Sequence, residues 1–288
     1  MKRTFYRFIA SVLPILTLIS CEKEVDNIKY PEYKPKWNIS GYLSPDNLMS
    51  RIIFSMNLRN YGNEWQFDDM GHPTVTLSHG TNLIVLDSAQ MSYRGGIKRS
   101  DFPIEEGKTY TLKIITDKGF NAEASCTVPF RGKFDLDVDT TVTRYLYEDS
   151  IQLLTVHPDF YFTDTKGVDN YYMVLCEELS YSSYYNQSKY INAVGLGQKA
   201  YFNDKGIDGL RTKVSIEGIG LSDMTDSCFL KIYLLNTDKV YYDYQKSVEK
   251  YNSGEDPFTE PSPVYSNISG GLGIFASYTV DSLIFRLK

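Results

Sequence analysis

Short segments in which apolar and polar residues alternate recur along the chain from Trp37 onward. In Thr109–Thr116 the residues Tyr110, Leu112 and Ile114 alternate with polar neighbours, which is the period of a strand with one face in a core. Glycine-containing turns at 106–108 and 117–119 flank this segment. The pattern predicts strands at Trp37–Leu43, Arg51–Leu58, Thr74–Ser78, Leu83–Asp87, Thr109–Thr116 and Phe120–Val128. Strands of this length and spacing predict an immunoglobulin-like or transthyretin-like β-sandwich over residues 37–130.

The pattern continues over residues 131–288, where one helical segment interrupts it. Strands are predicted at Phe134–Val142, Ile151–Val156, Tyr171–Glu178, Lys213–Glu217, Phe229–Leu235, Gly273–Tyr278 and Ser282–Leu287. Because residues 171–176 are apolar throughout, that strand is predicted to be buried on both faces. The fold class is therefore mainly β, with an N-terminal sandwich followed by a second β-sandwich-like domain that contains one helix.

The predicted helix follows the strand that ends near residue 235. Thr237 or Asp238 is a suitable N-cap, and Val240, Tyr244 and Val248 recur at the spacing of one helix face. The Asn-Ser-Gly sequence at 252–254 ends the helix. The tyrosines within it are predicted to form its packed face.

The charge balance excludes one broad class of partner. Residues 1–20 contain three bases and no acid, so the remainder has 27 basic and 36 acidic residues and a formal net charge of −9. No basic run is present, and a nucleic-acid-binding surface needs one.

The N-terminus resembles a bacterial export signal. Lys2, Arg3 and Arg7 precede the apolar run Phe8–Ile19, which is too short for a stable membrane span. The run ends in Leu-Ile-Ser-Cys, which resembles a lipobox, so we expect a signal peptide at 1–20 and a lipid on Cys21. The alternative is an ordinary signal peptide followed by an incidental cysteine. Residues 21–36 are acidic at first and then punctuated by proline, which predicts a semi-extended tether.

Catalytic and metal-binding motifs do not emerge from the residue spacing. The remaining cysteines have no metal-ligand spacing and lie in strand-like runs, so we expect buried free thiols at Cys126, Cys176 and Cys228. A hydrolase would need His72 or His157 beside a serine, cysteine or carboxylate. We expect no cofactor, no metal and no enzymatic activity.

Two further segments have polar or glycine-rich character. Residues 270–273 read Gly-Gly-Leu-Gly before a strand-like run, which predicts a tight turn or a close backbone approach rather than a phosphate cradle. Residues 181–190 combine tyrosine with serine and asparagine, the composition that binding surfaces use. Tyr181, Tyr184, Tyr185 and Tyr190 are therefore the candidate ligand- or partner-binding residues, with locally packed tyrosines in a loop or edge strand as the alternative.

Several motifs in this order resemble a known family. They are Trp-Asn-Ile-Ser-Gly-Tyr-Leu-Ser at 37–44, Pro-Thr-Val-Thr-Leu-Ser-His-Gly at 73–80, Ile-Glu-Glu-Gly-Lys-Thr-Tyr-Thr-Leu at 104–112 and Glu-Pro-Ser-Pro-Val-Tyr-Ser-Asn-Ile at 260–268. With the lipobox cysteine, they resemble the Bacteroidota lipoproteins described as domain of unknown function 4249. The resemblance implies an outer-membrane lipoprotein, often encoded beside a TonB-dependent transporter, and implies no catalytic residue or cofactor.

These observations predict a lipid-anchored protein of the outer membrane, exposed at the cell surface, that binds a ligand or docks on a TonB-dependent transporter. The alternatives are a structural or adhesive role and, with less support, a hydrolase. The membrane, reached through the lipid, is the first expected partner.

Overall fold

In the part of the chain that the structure describes, the alternating pattern folds into three β-sheets and one helix. The computed structural model describes residues 36–46, 49–57, 71–87, 90, 96–147, 151–183, 188–197, 200–221, 225–252 and 262–288. The chain divides into two units, residues 1–34 and residues 35–288, and every described residue belongs to the second unit. Cys21 lies outside the described residues.

The strands before residue 130 are β1 to β7. They span Trp37–Leu43, Met49–Met56, Pro73–His79, Asn82–Leu86, Ile97–Lys98, Thr109–Thr116 and Asn121–Thr127. The two predictions at Trp37–Leu43 and Thr109–Thr116 match the observed bounds. The other predicted strands in this part are found within a few residues of their predicted ends, whereas the short β5 was not predicted.

The strands after residue 130 are β8 to β16. They span Asp137–Tyr147, Ile151–Thr163, Tyr171–Ser182, Ser188–Val194, Tyr201–Asn203, Arg211–Ser215, Ile219–Leu221, Ser227–Thr237 and Leu272–Arg286. The helix α1 spans Lys239–Asn252 between β15 and β16. The predicted fold class is confirmed, since the described residues are mainly strand with one helix and sandwich-like packing. Within the described residues, no helix has both the length and the apolar character needed to cross a membrane.

One large sheet contains strands from both predicted parts of the chain. Its order is β11-β10-β15-β16-β1-β2-β5, with β12 paired to β10. The pairing of β1 with β16 is parallel, whereas the other pairings in this sheet are antiparallel. The two smaller sheets are β4-β3-β6-β7 and β13-β9-β14, with β8 paired to β9. The predicted boundary at residue 130 falls in the segment without regular secondary structure between β7 and β8.

Two hydrophobic cores lie along the large sheet. The first contains residues of β1 to β7 together with Ile268 and Phe275, and the second contains residues of β8 to β15. Leu283 and Phe285 pack against the second core, and each lies an even number of residues after Phe275 in β16. Because alternate residues of a strand point to one face, β16 contributes the same face to both cores.

The prediction of two separate strands near the C-terminus was wrong. A single 15-residue strand, β16, runs through the polar positions that suggested a break. Asp281 pairs in register with Leu234 of β15, and its carboxylate contacts the guanidinium of Arg131 at 3.3 Å. The same guanidinium donates a 2.7 Å hydrogen bond to the carbonyl of Val280. Pairing with β15 and this cation keep the polar segment in the sheet.

The prediction that Tyr171–Cys176 is buried on both faces was also wrong. Tyr172, Val174 and Cys176 lie in the second core, but Leu175 on the other face is 41% exposed. Met173 on that face packs in the small cluster under α1. The helix covers only part of this face, so the strand has one buried face and one partly covered face.

The helix begins at the predicted N-cap, whereas the Ser-Gly predicted to end it at 253–254 lies outside the described residues. The carboxylate of Asp238 accepts a 2.8 Å hydrogen bond from the Tyr241 backbone N–H, which makes Asp238 the N-cap. The second oxygen of the same carboxylate accepts hydrogen bonds from the backbone N–H and hydroxyl of Ser277 on β16, at 2.9 and 3.0 Å. The cap therefore also fastens the helix to the large sheet.

Glycines in the run 270–273 allow the close approach that the sequence predicted. Gly273 has a φ of +98°, and a Cβ at this position would lie 2.0 Å from the carbonyl oxygen of Ile39 on β1. A side chain there would combine an unfavourable backbone conformation with a backbone clash. The glycine therefore permits the parallel pairing of β16 with β1.

Candidate functional site

A polar cleft lies at one end of the first sandwich. It has a volume of about 470 Å³ and is formed by the β3–β4 hairpin, the segment after β5 and the start of β6. Its lining residues are His79, Thr81, Asn82, Leu83, Asp101, Phe102, Pro103, Glu105 and Tyr110. Pockets of about 300–1,000 Å³ are typical of sites that hold small molecules.

Tyr110 anchors the floor of this cleft. Its side chain is 1% exposed, and its hydroxyl accepts a 2.8 Å hydrogen bond from the Glu105 backbone N–H and donates one of 3.2 Å to the Pro103 carbonyl. Burial raises the pKa of Tyr110 above its ordinary value. The phenol is therefore a neutral structural group that fixes the loop 103–105 against β6.

His79 has a defined hydrogen-bonding arrangement at the end of β3. Its Nδ1 lies 2.9 Å from the Thr109 carbonyl oxygen, which can only accept a hydrogen bond. In the neutral ring Nδ1 therefore carries the proton, and Nε2 is left as an acceptor. The imidazole also lies 5.2 Å, between ring centroids, from Tyr110. Packing and the hydrogen bond together fix the ring at the edge of the cleft.

The charged groups of the lining are acidic. Asp101 and Glu105 are exposed, and the lining contains neither lysine nor arginine. The Asp101 carboxylate accepts a 2.9 Å hydrogen bond from the adjacent Ser100 hydroxyl. Within the described ranges neither carboxylate forms an ion pair. The cleft therefore presents a negative potential and several hydrogen-bond acceptors.

The sequence analysis did not identify these cleft residues. Glu105 lies next to the segment 106–108, which the sequence assigns to a turn, and Asp101 lies in the loop after the short β5. Neither position belongs to a motif with defined spacing. Their proximity depends on the pairing of β3 with β6 and on the loop held by Tyr110, so no local signal in the sequence could have identified the site.

The predicted tyrosine-rich site is described only in part. Tyr184 and Tyr185 lie outside the described residues. Tyr190 lies in β11 and pairs with Ser180, while Tyr181 in β10 pairs with Lys189 on one side and Ser227 on the other. Assignment of these four tyrosines to a binding surface stays a prediction.

Asp226 anchors the described end of the tyrosine-rich segment. Its backbone N–H donates a 2.9 Å hydrogen bond to the Tyr181 carbonyl, and its carboxylate accepts one from the Ser183 backbone N–H. The contacts with Ser183 lower the pKa of the Asp226 carboxyl. A half-buried Tyr181 is thereby held in a fixed backbone position at the end of β10.

The two histidines considered for a hydrolase lie in different parts of the fold. His72 is exposed just before β3, where its backbone N–H donates a 2.9 Å hydrogen bond to Asp117. His157 is exposed in β9 opposite Thr141. In the described part of the chain, neither ring hydrogen-bonds to a serine, cysteine or carboxylate. This geometry offers no support for a catalytic pair.

The three described cysteines are buried and free, as predicted. Burial raises the pKa of Cys176 and Cys228 to about 12, and it raises that of Cys126 as well. Thiolates are therefore disfavoured at all three positions. Among the described residues, no group of three or more histidine, cysteine or acidic side chains could hold a metal ion.

Comparison with known proteins adds one positive finding. The family described as Domain of unknown function (DUF4249) matches residues 23–284, which is nearly the whole chain. No curated protein and no solved structure matches the sequence. The matched range includes β1 to β15, the helix α1 and most of β16.

Proposed function

The chain belongs to the family described as Domain of unknown function (DUF4249), and we propose that it is a lipid-anchored outer-membrane protein that binds a ligand at the cell surface and docks on a TonB-dependent transporter. The single observation that carries this proposal is the sequence Leu-Ile-Ser-Cys at 18–21, at the end of the apolar run Phe8–Ile19. In this proposal Cys21 receives the lipid and residues 22–36 form the tether.

Binding rather than catalysis is the activity that the described geometry supports best. The cleft beside His79 provides a concave polar surface, and the segment that includes Tyr181 has the composition of a recognition surface. Both lie on a β scaffold with two buried cores, which provides the rigidity that ligand binding needs. The proposal assigns no catalytic residue and no cofactor.

The anchor is tested with Cys21→Ala and, as a matched control, Ser20→Ala, which keeps a small residue before the cysteine. We expect acyl groups on the wild-type protein and the Ser20 variant by intact mass, and both should sediment with outer membranes. The Cys21 variant should lack acyl groups and leave the membrane fraction. Equal membrane association of all three proteins, without acylation of any, would refute the anchor.

Docking is tested by purifying the full chain under gentle conditions from detergent-solubilised outer membrane. We expect a TonB-dependent transporter to co-purify in a stoichiometric amount with the wild-type protein. Recovery of the lipoprotein without any transporter would contradict this part of the proposal and would favour the structural or adhesive alternative. Protease treatment of intact cells tests surface exposure, since protection of the protein would place it on the periplasmic face.

A further inference from the structure

The chemistry of the cleft lining restricts the ligands that it can bind. Two carboxylates, at Asp101 and Glu105, face no lysine or arginine in the lining, and Nε2 of the His79 ring is an acceptor whenever that ring is neutral. An anion would be repelled by this arrangement, whereas a group that both donates hydrogen bonds and carries positive charge would be attracted.

The exposure of the lining residues favours an amine over a sugar as the ligand. Sugar sites commonly present an exposed aromatic face, but the rings of Phe102 and Tyr110 are only 5% and 1% exposed and form the floor. The exposed apolar side chains in the lining are instead aliphatic: they are Pro103 and Leu83, of which Leu83 is 60% exposed. A leucine side chain packs well against a methylene chain.

We propose that this cleft binds a primary ammonium group carried on an aliphatic stem, such as a lysine side chain. The ammonium interacts with the carboxylates of Asp101 and Glu105, and the stem packs against Leu83. This inference rests on the proposed binding function and names the chemical class of its ligand. Since both carboxylates are exposed and screened by solvent, the attraction is weak, so a dissociation constant of about a millimolar or weaker is expected for a single amine.

Saturation-transfer NMR on the full chain in non-ionic detergent measures such weak binding. Nα-acetyl-lysine methylamide is the peptide-like probe, and pentane-1,5-diamine is the free-amine probe. Nα-acetyl-norleucine methylamide keeps most of the stem but lacks the ammonium. We expect saturation transfer to the lysine probe and at least fivefold less transfer to the norleucine probe. Combining Asp101→Asn with Glu105→Gln should lower the affinity for the lysine probe about fivefold or more. Strong binding of the diamine alone would identify free amines rather than peptides as the source.

Glu123→Gln is the matched control, because it removes one exposed carboxylate from β7. This strand forms the edge of the β4-β3-β6-β7 sheet that is opposite to β4. The control should bind as the wild type does, and circular dichroism should show that all variants are folded. If the double variant fails to fold, the salt dependence of the wild type decides, since binding through charge should weaken between about 0.05 and 0.5 M salt.

Equal binding of the lysine and norleucine probes would overturn the proposal, as would salt-independent binding or no transfer to either amine at about 10 mM. These outcomes are distinguishable from failure of the proposed docking. A protein that binds the amines but recovers no transporter retains the cleft assignment and loses the partner. A protein that recovers the transporter but binds no amine loses only the ligand assignment.

Discussion

The carboxyl of Asp238 links helix α1 to the large sheet while being largely buried, which makes the stability of the protein sensitive to pH. Burial raises its pKa from 3.8 to about 6, although the hydrogen bonds from Tyr241 and Ser277 act in the opposite direction. The folded state therefore holds this proton to a higher pH than the unfolded chain does. Asp238→Asn removes the titration and keeps a side chain that favours the N-cap position.

The sign and size of the effect follow from the two pKa values. Below about pH 3 the carboxyl is protonated in both states, and its contribution to stability is fully present. As the pH rises through about 6, the folded state must accommodate a buried charge and that contribution is lost. A difference of about 2 pKa units corresponds to about 3 kcal/mol. The free energy of unfolding of the wild type, minus that of the Asn variant, should therefore fall by about 3 kcal/mol between about pH 3 and pH 7.

Urea denaturation, followed by circular dichroism at four or five pH values in this range, measures the difference directly. Asp243→Asn is the control for the loss of one charge from the same helix, at a partly exposed position paired with Lys239. A constant offset between wild type and Asp238→Asn at every pH would come from lost hydrogen bonds alone. A difference that stays constant or rises with pH would refute the assignment of a raised pKa to a buried cap.

Three further predictions concern the sheet and the cores. Gly273→Ala should destabilise the fold by about 3 kcal/mol or more, because its Cβ would clash with the β1 backbone. Gly220→Ala is the control, since its Cβ would meet nothing within 4 Å. Equal melting temperatures of the two variants would contradict the close approach of β16 to β1. Arg131→Met should lower the free energy of unfolding, measured in urea, by about 2 kcal/mol, since three carboxylates lose their ion-pair partner. An unchanged urea midpoint would show that solvent screens these ion pairs. The three buried thiols should react with a thiol reagent only in denaturant, and fast reaction of the native protein would show that they are accessible.

Local patterns in the sequence account for most of the strands. The alternation in Thr109–Thr116 and the glycine turns beside it are local signals for the hairpin of β6 and β7. The N-cap Asp238 and the apolar spacing of the next residues likewise determine where α1 begins. In these segments the propensity of the residues and their tertiary surroundings favour the same structure, so the predictions were confirmed.

Long-range pairing accounts for what the sequence did not show. The parallel pairing of β1 with β16 joins residues more than 200 positions apart, and no local pattern identifies such a partner. The cleft has the same origin, because a hairpin, a loop and the start of β6 bring His79, Asp101 and Glu105 to one place. The continuity of β16 across Asp281 depends on Arg131, which lies 150 residues earlier in the chain.

The same strand explains why residues near the C-terminus matter to the first sandwich. Phe275 of β16 packs in the core of β1 to β7, and the virtual Cβ of Gly41 on β1 would lie only 2.8 Å from its ring. A chain that ended near residue 130 would lack this ring and would expose the apolar side chains that it covers, at about 25 cal/mol for each Å². The proposed amine cleft is built on β3, β4 and β6 of that sandwich, and its scaffold therefore depends on β16. Binding studies should for this reason use the full chain, since the cleft and the distant C-terminal strand share one core.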